Sequence, residues 1–477
     1  MLGADERRLR VCEEIWSPGR DVGDSKAMSD TLFPLPPPAK EQEPTALPAP
    51  RVERPNRAQL ELRSIDLDGL LPADHRARLV WDFVEGLDLA PLYDAIRAVE
   101  GGAGRPAIDP AILTALWLYA TLDGVGSARA LDRLCEQHDA YRWLAGGVSV
   151  NYHTLAEFRV AHADLLDTLL TRSVATLMAE GLVTLTRVAQ DGVRVRASAG
   201  AGSFRRRERL QQFLLEAADQ VRALRRELDQ DPAATSRRQA AARTRAAQER
   251  QARVQKALEQ LAVIEAQHDR AQDSAAHRRT ARASTTDPEA RVMKMADGGF
   301  RPAFNPQFAA DTSSQIIVGV DVTNLGSDLA HLPPMVDQLR RRYGRPPAEV
   351  LADGNFAGHE ALDKLAAAGC VVYVPVPQPR KSNKNPQPLP PDPHAPRPKD
   401  SPAVGAWRQR MGTATAQRIY KLRAATAECI NAIARNRGLQ QFRVRGLERV
   451  RAVVLWFALA HNLLRAVELR RLAAAAT

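Results

Sequence analysis

The chain has few cysteines and no long hydrophobic run. Its four cysteines, Cys12, Cys135, Cys370 and Cys429, lie far apart among 477 residues, which excludes a Cys-x-x-Cys pair and zinc-finger ligand spacing. The longest apolar run, residues 452–460, is far shorter than the roughly 20 residues that cross a bilayer. The N-terminus has no apolar signal-peptide core. We therefore expect a soluble, cytoplasmic protein with free thiols and no membrane contact.

Lysine is also scarce, because the chain has 9 lysines and 58 arginines. Together they exceed the 56 acidic residues and give a formal net charge of +11. Guanidinium groups bind phosphate in a bidentate manner, so this excess favours a nucleic-acid partner. A GC-rich genome would produce the same composition without such a partner, and composition leaves both explanations open. With 44% hydrophobic residues, the chain is neither wholly disordered nor fibrous.

The N-terminal part divides into a tail and a helical domain. Residues 1–58 mix charges with prolines and have no apolar periodicity, so we expect them to be disordered. Residues 59–180 have helical spacing, tight glycine turns and an N-cap serine at Ser127. Such short helices are compatible with a DNA-binding domain, and an ordinary helical domain explains the pattern as well.

A basic helical hairpin is expected over residues 205–283. Apolar residues recur in steps of four and three from Leu210 to Leu228, and again from Val254 to Ile264 after a break. The segment has 18 basic and 11 acidic residues, an excess of seven out of the total of eleven. A solvated coiled hairpin is one explanation, but the sign of the excess favours an arm that faces DNA.

Residues 181–204 and 284–440 alternate between strand-like and helix-like patterns. Their order predicts β–(inserted helices)–β–β–α–β–α–β–α, the order of a ribonuclease H-like mixed α/β sheet. A stretch rich in Pro, Lys and Asn at 377–403 predicts a loop. A long helix is predicted from about residue 407 to 436, and residues 441–477 predict a closing amphipathic helix.

Three acidic residues fall where this fold carries its carboxylates: Asp191 on the first strand, Asp353 just after the fourth and Glu428 on the last helix. A charge inside a valine-rich strand is costly without a cation, and Mg²⁺ prefers carboxylate oxygens. Two such ions stabilise the attacking and leaving oxygens in a displacement at phosphorus. Each acid can also be a turn residue or a helix cap, and Asp297 and Asp321 are rival acids.

Basic residues accompany Glu428 on its predicted helix. Lys421, Glu428 and Arg435 are spaced seven apart and would share one face of a continuous helix. The two bases would then hold phosphate beside the acid. A surface salt bridge, worth under about 1 kcal/mol, explains the same spacing.

Several longer strings resemble the DDE transposases of bacterial insertion sequences. They are VAQDGVRVRASAGAGSFRR, DPEARVMKMADGGFRPAFNPQFAADT, VLADGNFAG and YKLRAATAECINAIARNRGLQQFRVRGLERVRAVVLWFALAHN. The block from LVWDFVEGLDLAPLY to SVNYHTLAEFRV resembles the helical N-terminal domain of that family. The resemblance covers roughly residues 60–470.

The resemblance implies an enzyme that binds terminal inverted repeats, cleaves DNA there and joins the free 3′-OH to target DNA. It implies that Asp191, Asp353 and Glu428 bind two Mg²⁺ ions, for which Mn²⁺ substitutes. It further implies a homodimer in the synaptic complex, acting at the nucleoid. The alternative is a catalytically inactive copy that occupies the same DNA ends. A helical scaffold built on the 205–283 hairpin ranks last, because it explains neither the strand order nor the acids.

The family carries a Tyr, Arg, Glu and Lys pattern on the last helix, and this chain departs from it. Tyr420 and Arg423 match, and Arg435 stands in place of the lysine. Four residues instead of three separate Arg423 from Glu428. In a continuous α-helix the extra residue would rotate Arg423 about 100° away from its standard face, which weakens its assignment as a phosphate contact.

The strand FNPQF and the first strand supply further candidates. Asn305 and Gln307 would support the acids or contact the DNA backbone, unless they are plain strand polarity. Arg194 and Arg196 share one strand face and would contact phosphate or solvent. Pro306 removes a backbone donor and predicts a sheet edge. The full set of DNA-binding candidates is Tyr420, Lys421, Arg423, Arg435, Arg194, Arg196, Asn305 and Gln307.

Overall fold

The computed structural model describes residues 66–98, 106–230, 237–270, 281–377 and 392–476, together with Ala58 and Gly101. The predicted disordered tail lies outside the described residues, apart from Ala58. Most of the predicted loop at 377–403 lies outside them as well.

The N-terminal domain packs its helices around one buried helix. Its described helices are α1 (Arg76–Glu85), α2 (Ala90–Asp94), α3 (Pro110–Leu122), α4 (Ala128–Gln137), α5 (Asp139–Ala145), α6 (Tyr152–Ala161) and α7 (Ala163–Ala179). Helix α3 begins behind Asp109, whose carboxylate accepts from the Ala111 amide at 2.8 Å, and buries almost all of its residues. Its fully buried Trp117 donates to the Leu155 carbonyl at 2.9 Å. The all-α N-terminal domain is therefore confirmed.

The part of the chain after the N-terminal domain is built on a mixed sheet. The described strands are β1 (Arg187–Gly192), β2 (Val195–Arg196), β3 (Phe204–Arg205), β4 (Ala283–Ser284), β5 (Arg291–Lys294), β6 (Phe300–Asp311), β7 (Ile317–Thr323), β8 (Glu349–Leu351) and β9 (Val371–Tyr373). The core order is β7-β6-β1-β8-β9, with β6 antiparallel to β1 and β7, and β8 parallel to β1 and β9. The predicted ribonuclease H-like fold is confirmed, and the short strands β2 and β5 add to it along β6.

The expectation that Pro306 marks a sheet edge is wrong, because β6 is the strand that pairs with β1, β2, β5 and β7. The Pro306 carbonyl accepts from the Val193 amide at 2.9 Å. The missing N–H of Pro306 points to the same side as its carbonyl. It therefore faces the gap where β1 has ended at Gly192 and β2 has not yet begun, so the central strand tolerates the proline.

The insertion after the first strands is an antiparallel helical hairpin of α8 (Arg207–Gln230) and α9 (Arg237–Arg270). Ion pairs join Arg207 to Glu265 and Arg243 to Glu227, so the helices run in opposite directions. The predicted helical insertion is confirmed. The buried members of its apolar seam are Leu210, Ala217, Val221, Val254, Ala257, Leu261 and Ile264.

The predicted single helix from 407 to 436 is wrong, because it is broken twice. The C-terminal helices are α10 (Leu332–Tyr343), α11 (His359–Ala367), α12 (Pro402–Met411), α13 (Ala414–Arg423), α14 (Cys429–Asn436) and α15 (Leu447–Ala476). Gly412 ends α12, and the Thr413 hydroxyl caps α13 by accepting from the Ala416 amide at 3.1 Å. A π-helical turn at Ala424–Glu428 separates α13 from α14.

Helix α15 is a central helix and not the amphipathic one that was predicted. Residues 452–463 are all buried, and the helix packs against α3, α7 and β7. By length and hydropathy Leu447–Ala475 is able to cross a membrane, but 72% of its most apolar stretch is buried inside the protein, as in a core helix. One helix thus joins the N-terminal domain to the sheet.

Candidate active site

Asp191 and Asp353 lie side by side at the ends of two parallel strands. Ala189 of β1 is in register with Leu351 of β8, and each acid lies two residues further along its strand. Asp353 immediately precedes a short 3-10 turn at Gly354–Phe356. The two carboxylates are close enough to interact electrostatically, which is the arrangement that the strand order predicted.

The Asp191 side chain is largely removed from solvent, with 18% of it exposed. Its Oδ1 accepts from the Gly192 amide at 2.9 Å, and its Oδ2 accepts at 3.2 Å from both Arg423 Nη1 and Asn431 Nδ2. Burial raises the pKa of Asp191 to about 6, although Arg423 and the Gly192 amide act to lower it. The nearby carboxylates of Asp353 and Asp328 raise that pKa further. A bound cation would lower the pKa of Asp191 and keep its carboxylate ionised.

Arg423 joins the first and third acids. Its Nη2 donates to Glu428 Oε1 at 2.5 Å, while its Nη1 donates to Asp191. Although burial acts to lower it, the pKa of Arg423 is raised by Tyr420, Asp191 and Glu428, so the guanidinium keeps its charge. The half-buried Tyr420 ring lies 5.8 Å from the guanidinium carbon. A protein cation therefore lies between two of the three candidate carboxylates.

The expectation that Arg423 is rotated away from Glu428 is wrong, and the π turn explains why. In an α-helix the residue five before Glu428 lies about 140° from it around the helix axis, about 100° beyond the residue four before it. The wider turn at Ala424–Glu428 takes one more residue per turn than an α-turn. It absorbs the extra residue and returns Arg423 to the side of the acids. The same turn breaks the seven-residue spacing between Lys421 and Glu428, so these two no longer share a continuous α-helical face.

The oxygen atoms of Asp191, Asp353 and Glu428 suit a hard divalent cation, but the three carboxylates do not surround one common point. Within the described residues, no three acidic, histidine or cysteine side chains lie close enough to hold one ion together. Arg423 lies in the space between Asp191 and Glu428. Beside them, the buried Oδ1 of Asn431 has no hydrogen-bond partner among the residues that the structure covers. Oxygen donors and an unpaired buried oxygen are what Mg²⁺ or Mn²⁺ binding uses, provided that Arg423 moves aside.

A basic cleft of about 750 Å³ adjoins these acids, and Gly192 and Asn355 form part of its wall. Asn355 Nδ2 lies 3.5 Å from Asp353 Oδ2, which connects the cleft to the second acid. Among the described residues, Arg196, Lys294 and Arg435 have no ion-pair partner, whereas Arg301 pairs with Asp297 at 2.7 Å. The basic residues of the wall are Arg194, Arg196, Lys294, Arg301 and Arg435.

Asn305 and Gln307, which were predicted as DNA-binding residues, lie inside the sheet and donate hydrogen bonds to Asp328. Both are 0% exposed, and they donate to Asp328 Oδ1 at 2.7 and 2.9 Å. Arg194 Nη2 donates to the same carboxylate at 3.3 Å. These contacts fix the loop after β7 against the sheet. A Cβ at Gly192 would lie 2.3 Å from Gln307 Nε2, so only glycine fits next to Asp191.

The remaining predicted residues lie apart from the acids. Lys421 is exposed and is not part of the described cleft wall. The rival acid Asp321 accepts from the Val322 amide at 2.8 Å, and Asp297 pairs with Arg301. Asp328 and Asn431 were not among the predicted site residues. Two polar side chains on a buried strand signalled a partner such as Asp328, and Asn431 lies three residues after Glu428, one helical turn on.

Two family models match the chain. A transposase DDE domain matches residues 256–463, a range that includes Asp353 and Glu428 but not Asp191. A transposase domain (DUF772) matches residues 65–161, within the N-terminal helical domain. No curated protein and no solved structure shows a significant match to the chain. Both models are transposase domains, and this family uses divalent metal ions and acts on DNA. Together, the two matches support an insertion-sequence DDE transposase.

Proposed function

We propose that the protein binds the terminal inverted repeats of an insertion sequence, cleaves the DNA there and transfers the strand ends to target DNA. The observation that carries this proposal is the placement of Asp191 and Asp353 at one level on adjacent strands, with Glu428 linked to Asp191 through Arg423. The basic cleft adjoins this group and offers cations without acidic partners in the described chain to DNA phosphates.

Asp191, Asp353 and Glu428 would hold two Mg²⁺ ions, with Mn²⁺ as a substitute. Such ions, when bound, activate an attacking oxygen and neutralise charge on a leaving oxygen at phosphorus. Arg435 and Arg196 would bind phosphates flanking the scissile bond, because both line the cleft and have no ion pair among the described residues. Arg423 would leave its position between Asp191 and Glu428 and then serve as a phosphate contact.

The N-terminal helices and the basic hairpin would supply the remaining DNA contacts. The N-terminal transposase domain, matched at residues 65–161, contains none of the three acids. The hairpin segment carries +7 of the net charge of +11. Bringing two transposon ends together requires two active sites, so a homodimer is proposed for the synaptic complex. The protein would act on DNA in the cytoplasm.

The test is nicking of a labelled duplex that carries the terminal inverted repeat, with Mg²⁺, with Mn²⁺ and with EDTA. The wild type should nick only with metal, and Asp191→Asn should lower the rate by about a thousandfold, because metal-bound charge stabilisation is worth several kcal/mol. The matched control is Asp297→Asn, which should keep the rate. Full activity of Asp191→Asn would refute the triad. Tight, salt-sensitive repeat binding by the wild type without nicking would instead favour an inactive copy.

A further inference from the structure

A second cavity lined by arginines shares the wall residues Leu439 and Gln440 with the basic cleft. It has a volume of about 350 Å³ and is formed by the turn between α3 and α4, helix α6, the segment 437–443 and helix α15. Arg159, Arg437 and Arg443 line it, and none of the described residues in its wall is acidic. Its positive charge is therefore not compensated within the wall.

Arg159 is fixed in place, yet no acidic side chain pairs with it in the part of the chain that the structure describes. Its Nη1 donates to the Gly126 carbonyl at 2.7 Å, and its guanidinium lies 4.6 Å from the centre of the Trp117 ring. The indole of Trp456 donates to the Arg159 carbonyl at 3.0 Å. The buried Nε of Arg159 has no hydrogen-bond partner among the residues that the structure describes. Arg159 is thus held in one position without a counter-ion among the described residues.

Arg437 and Arg443 add two further unpaired cations. The buried Nη1 of Arg437 has no hydrogen-bond partner in the described part of the chain. The Nε of Arg443 and the Nη2 of Arg159 both lie within 4 Å of the place that a Cβ on Gly126 would occupy. Burial lowers the pKa of Arg159 to about 10, and the charge of Arg443 acts in the same direction. The guanidinium groups of Arg159 and Arg443 therefore converge although they repel one another.

The two walls of this cavity touch through glycine backbone. Gly438 has a φ of +84°, and a Cβ on it would lie 2.9 Å from the Gly124 carbonyl oxygen. Only glycine permits this approach, which fixes Arg437 and Arg443 relative to Arg159. Buried, unpaired charges are costly. Arg159 and Arg437 are half-buried, and each has one buried nitrogen without a partner among the described residues. With the exposed Arg443 beside Arg159, they define a preformed site for an anion.

We propose that this cavity is a phosphate-binding site distinct from the acids. Its three guanidinium groups would hold the oxygens of one phosphate group, the geometry to which arginine is best suited. The phosphate would come either from the DNA backbone or from a free phosphate ester. The site does not depend on the catalytic proposal, because none of Asp191, Asp353 and Glu428 lines it.

The first arm of the test is thermal unfolding of the full chain in sodium phosphate and in sodium chloride at matched ionic strength. Phosphate should raise the melting temperature by about 2 °C or more, as expected for a ligand that binds only the folded state. Arg443→Ala should lose most of this shift. The matched control is Arg449→Ala, an exposed arginine outside the cavity wall, and it should keep the shift. Arg437→Gln serves as a second variant with the same expected loss.

The second arm distinguishes the two phosphate sources. If the site takes a backbone phosphate, Arg443→Ala should lower the slope of log K against log salt for a random DNA duplex by about one. An unchanged slope together with the lost thermal shift would identify a free phosphate ester. The proposal is overturned if phosphate stabilises Arg443→Ala and Arg437→Gln as much as the wild type, or if only Arg196→Ala loses the shift, which would place the anion in the basic cleft.

Discussion

Arginine occupies two opposite settings in this protein. Arg423 lies between Asp191 and Glu428, and its charge is neutralised by both. Arg159, Arg437 and Arg443 line a cavity whose described wall has no acidic residue. The surroundings decide what each setting can bind, because a guanidinium among acids occupies the place of a metal ion, whereas guanidinium groups without acids attract an anion. Arginine thus occurs both in a candidate cation site and in a candidate anion site of this protein.

Among changes to these two arginine settings, the largest effect should come from moving Arg423 off the acids. Inserting an alanine after Ala425 adds a residue that the π turn cannot absorb, so Arg423 and Glu428 should separate. We expect DNA nicking to fall by about a hundredfold, as for other displacements of about 1 Å at a reacting centre.

The control for the insertion is a deletion in the same turn. Deleting Ala424 should convert the π turn into a regular α-turn and keep Arg423 beside Glu428, so nicking should persist. Equal losses for insertion and deletion would show that the turn is needed for its own sake and not for the position of Arg423.

The pKa of His461 is lowered in part by the charge of Arg437, which lines the second cavity. Burial lowers its pKa to about 4, while its bond to the Gln315 carbonyl at 2.9 Å opposes this and Arg437 and Arg465 lower it further. The unfolded state then binds more protons between about pH 6.5 and 4, so stability present above pH 6.5 is lost as the pH falls through this range. The loss should reach about 2–3 kcal/mol of unfolding free energy.

The measurement is urea unfolding at pH 7, 6 and 5 of the wild type and of His461→Gln, which keeps a donor but does not titrate. The variant should lose less stability over this range. Since other groups titrate as well, only the difference between the two proteins counts, and parallel curves would argue against a neutral buried His461.

Arg423→Gln should separate metal binding from catalysis. Without the guanidinium, a divalent ion no longer has to displace a cation from Asp191 and Glu428. We expect Mn²⁺ to bind about tenfold more tightly at pH 8, an amount comparable to one charge-assisted hydrogen bond. Electron paramagnetic resonance of free Mn²⁺ gives the affinity without any turnover. The control Arg418→Gln lies on the same helix, and weaker Mn²⁺ binding by Arg423→Gln would show that Arg423 supports the metal site.

The smallest effect should come from adding an acid to the arginine-lined cavity, so that its arginines, like Arg423, have an acidic partner. Gln441→Glu adds an acid of the same shape to its wall and gives up a long hydrogen bond to the Ala197 carbonyl, at 3.4 Å. Unfolding free energy in chloride should rise by about 1 kcal/mol. The stabilisation by phosphate should shrink in the same protein. Gln440→Leu is the neutral control, and destabilisation by the added acid would contradict an anion site.

The order of strands and helices was readable from the sequence because each buried strand has its own apolar pattern. The same order placed Asp191 and Asp353 on neighbouring strand ends. The break after Met411 was also readable, since glycine followed by threonine is a stop and a start signal for helices. The error at 407–436 came from giving helical periodicity more weight than these two residues.

Other parts of the site were not readable from local spacing. The chain adopts a π turn at Ala424–Glu428, whose benefit is the contact of Arg423 with Asp191, 232 residues away in sequence. Asn305 and Gln307 were predicted to support the acids or to contact the DNA backbone, and local spacing did not indicate that Asp328 lies against them. Local spacing alone does not determine contacts between residues so distant in sequence.

Helix α15 has a consequence for how the molecule is made. It packs against α3 and α7 of the N-terminal domain, yet the whole catalytic domain lies between those helices and Leu447 in the sequence. During synthesis on the ribosome, the apolar faces of α3 and α7 therefore emerge long before their partner exists. Until α15 is synthesised, these apolar faces stay exposed to solvent, and exposed apolar surface binds chaperones and promotes aggregation. Complete folding of the N-terminal domain is thus timed by translation of the last core helix.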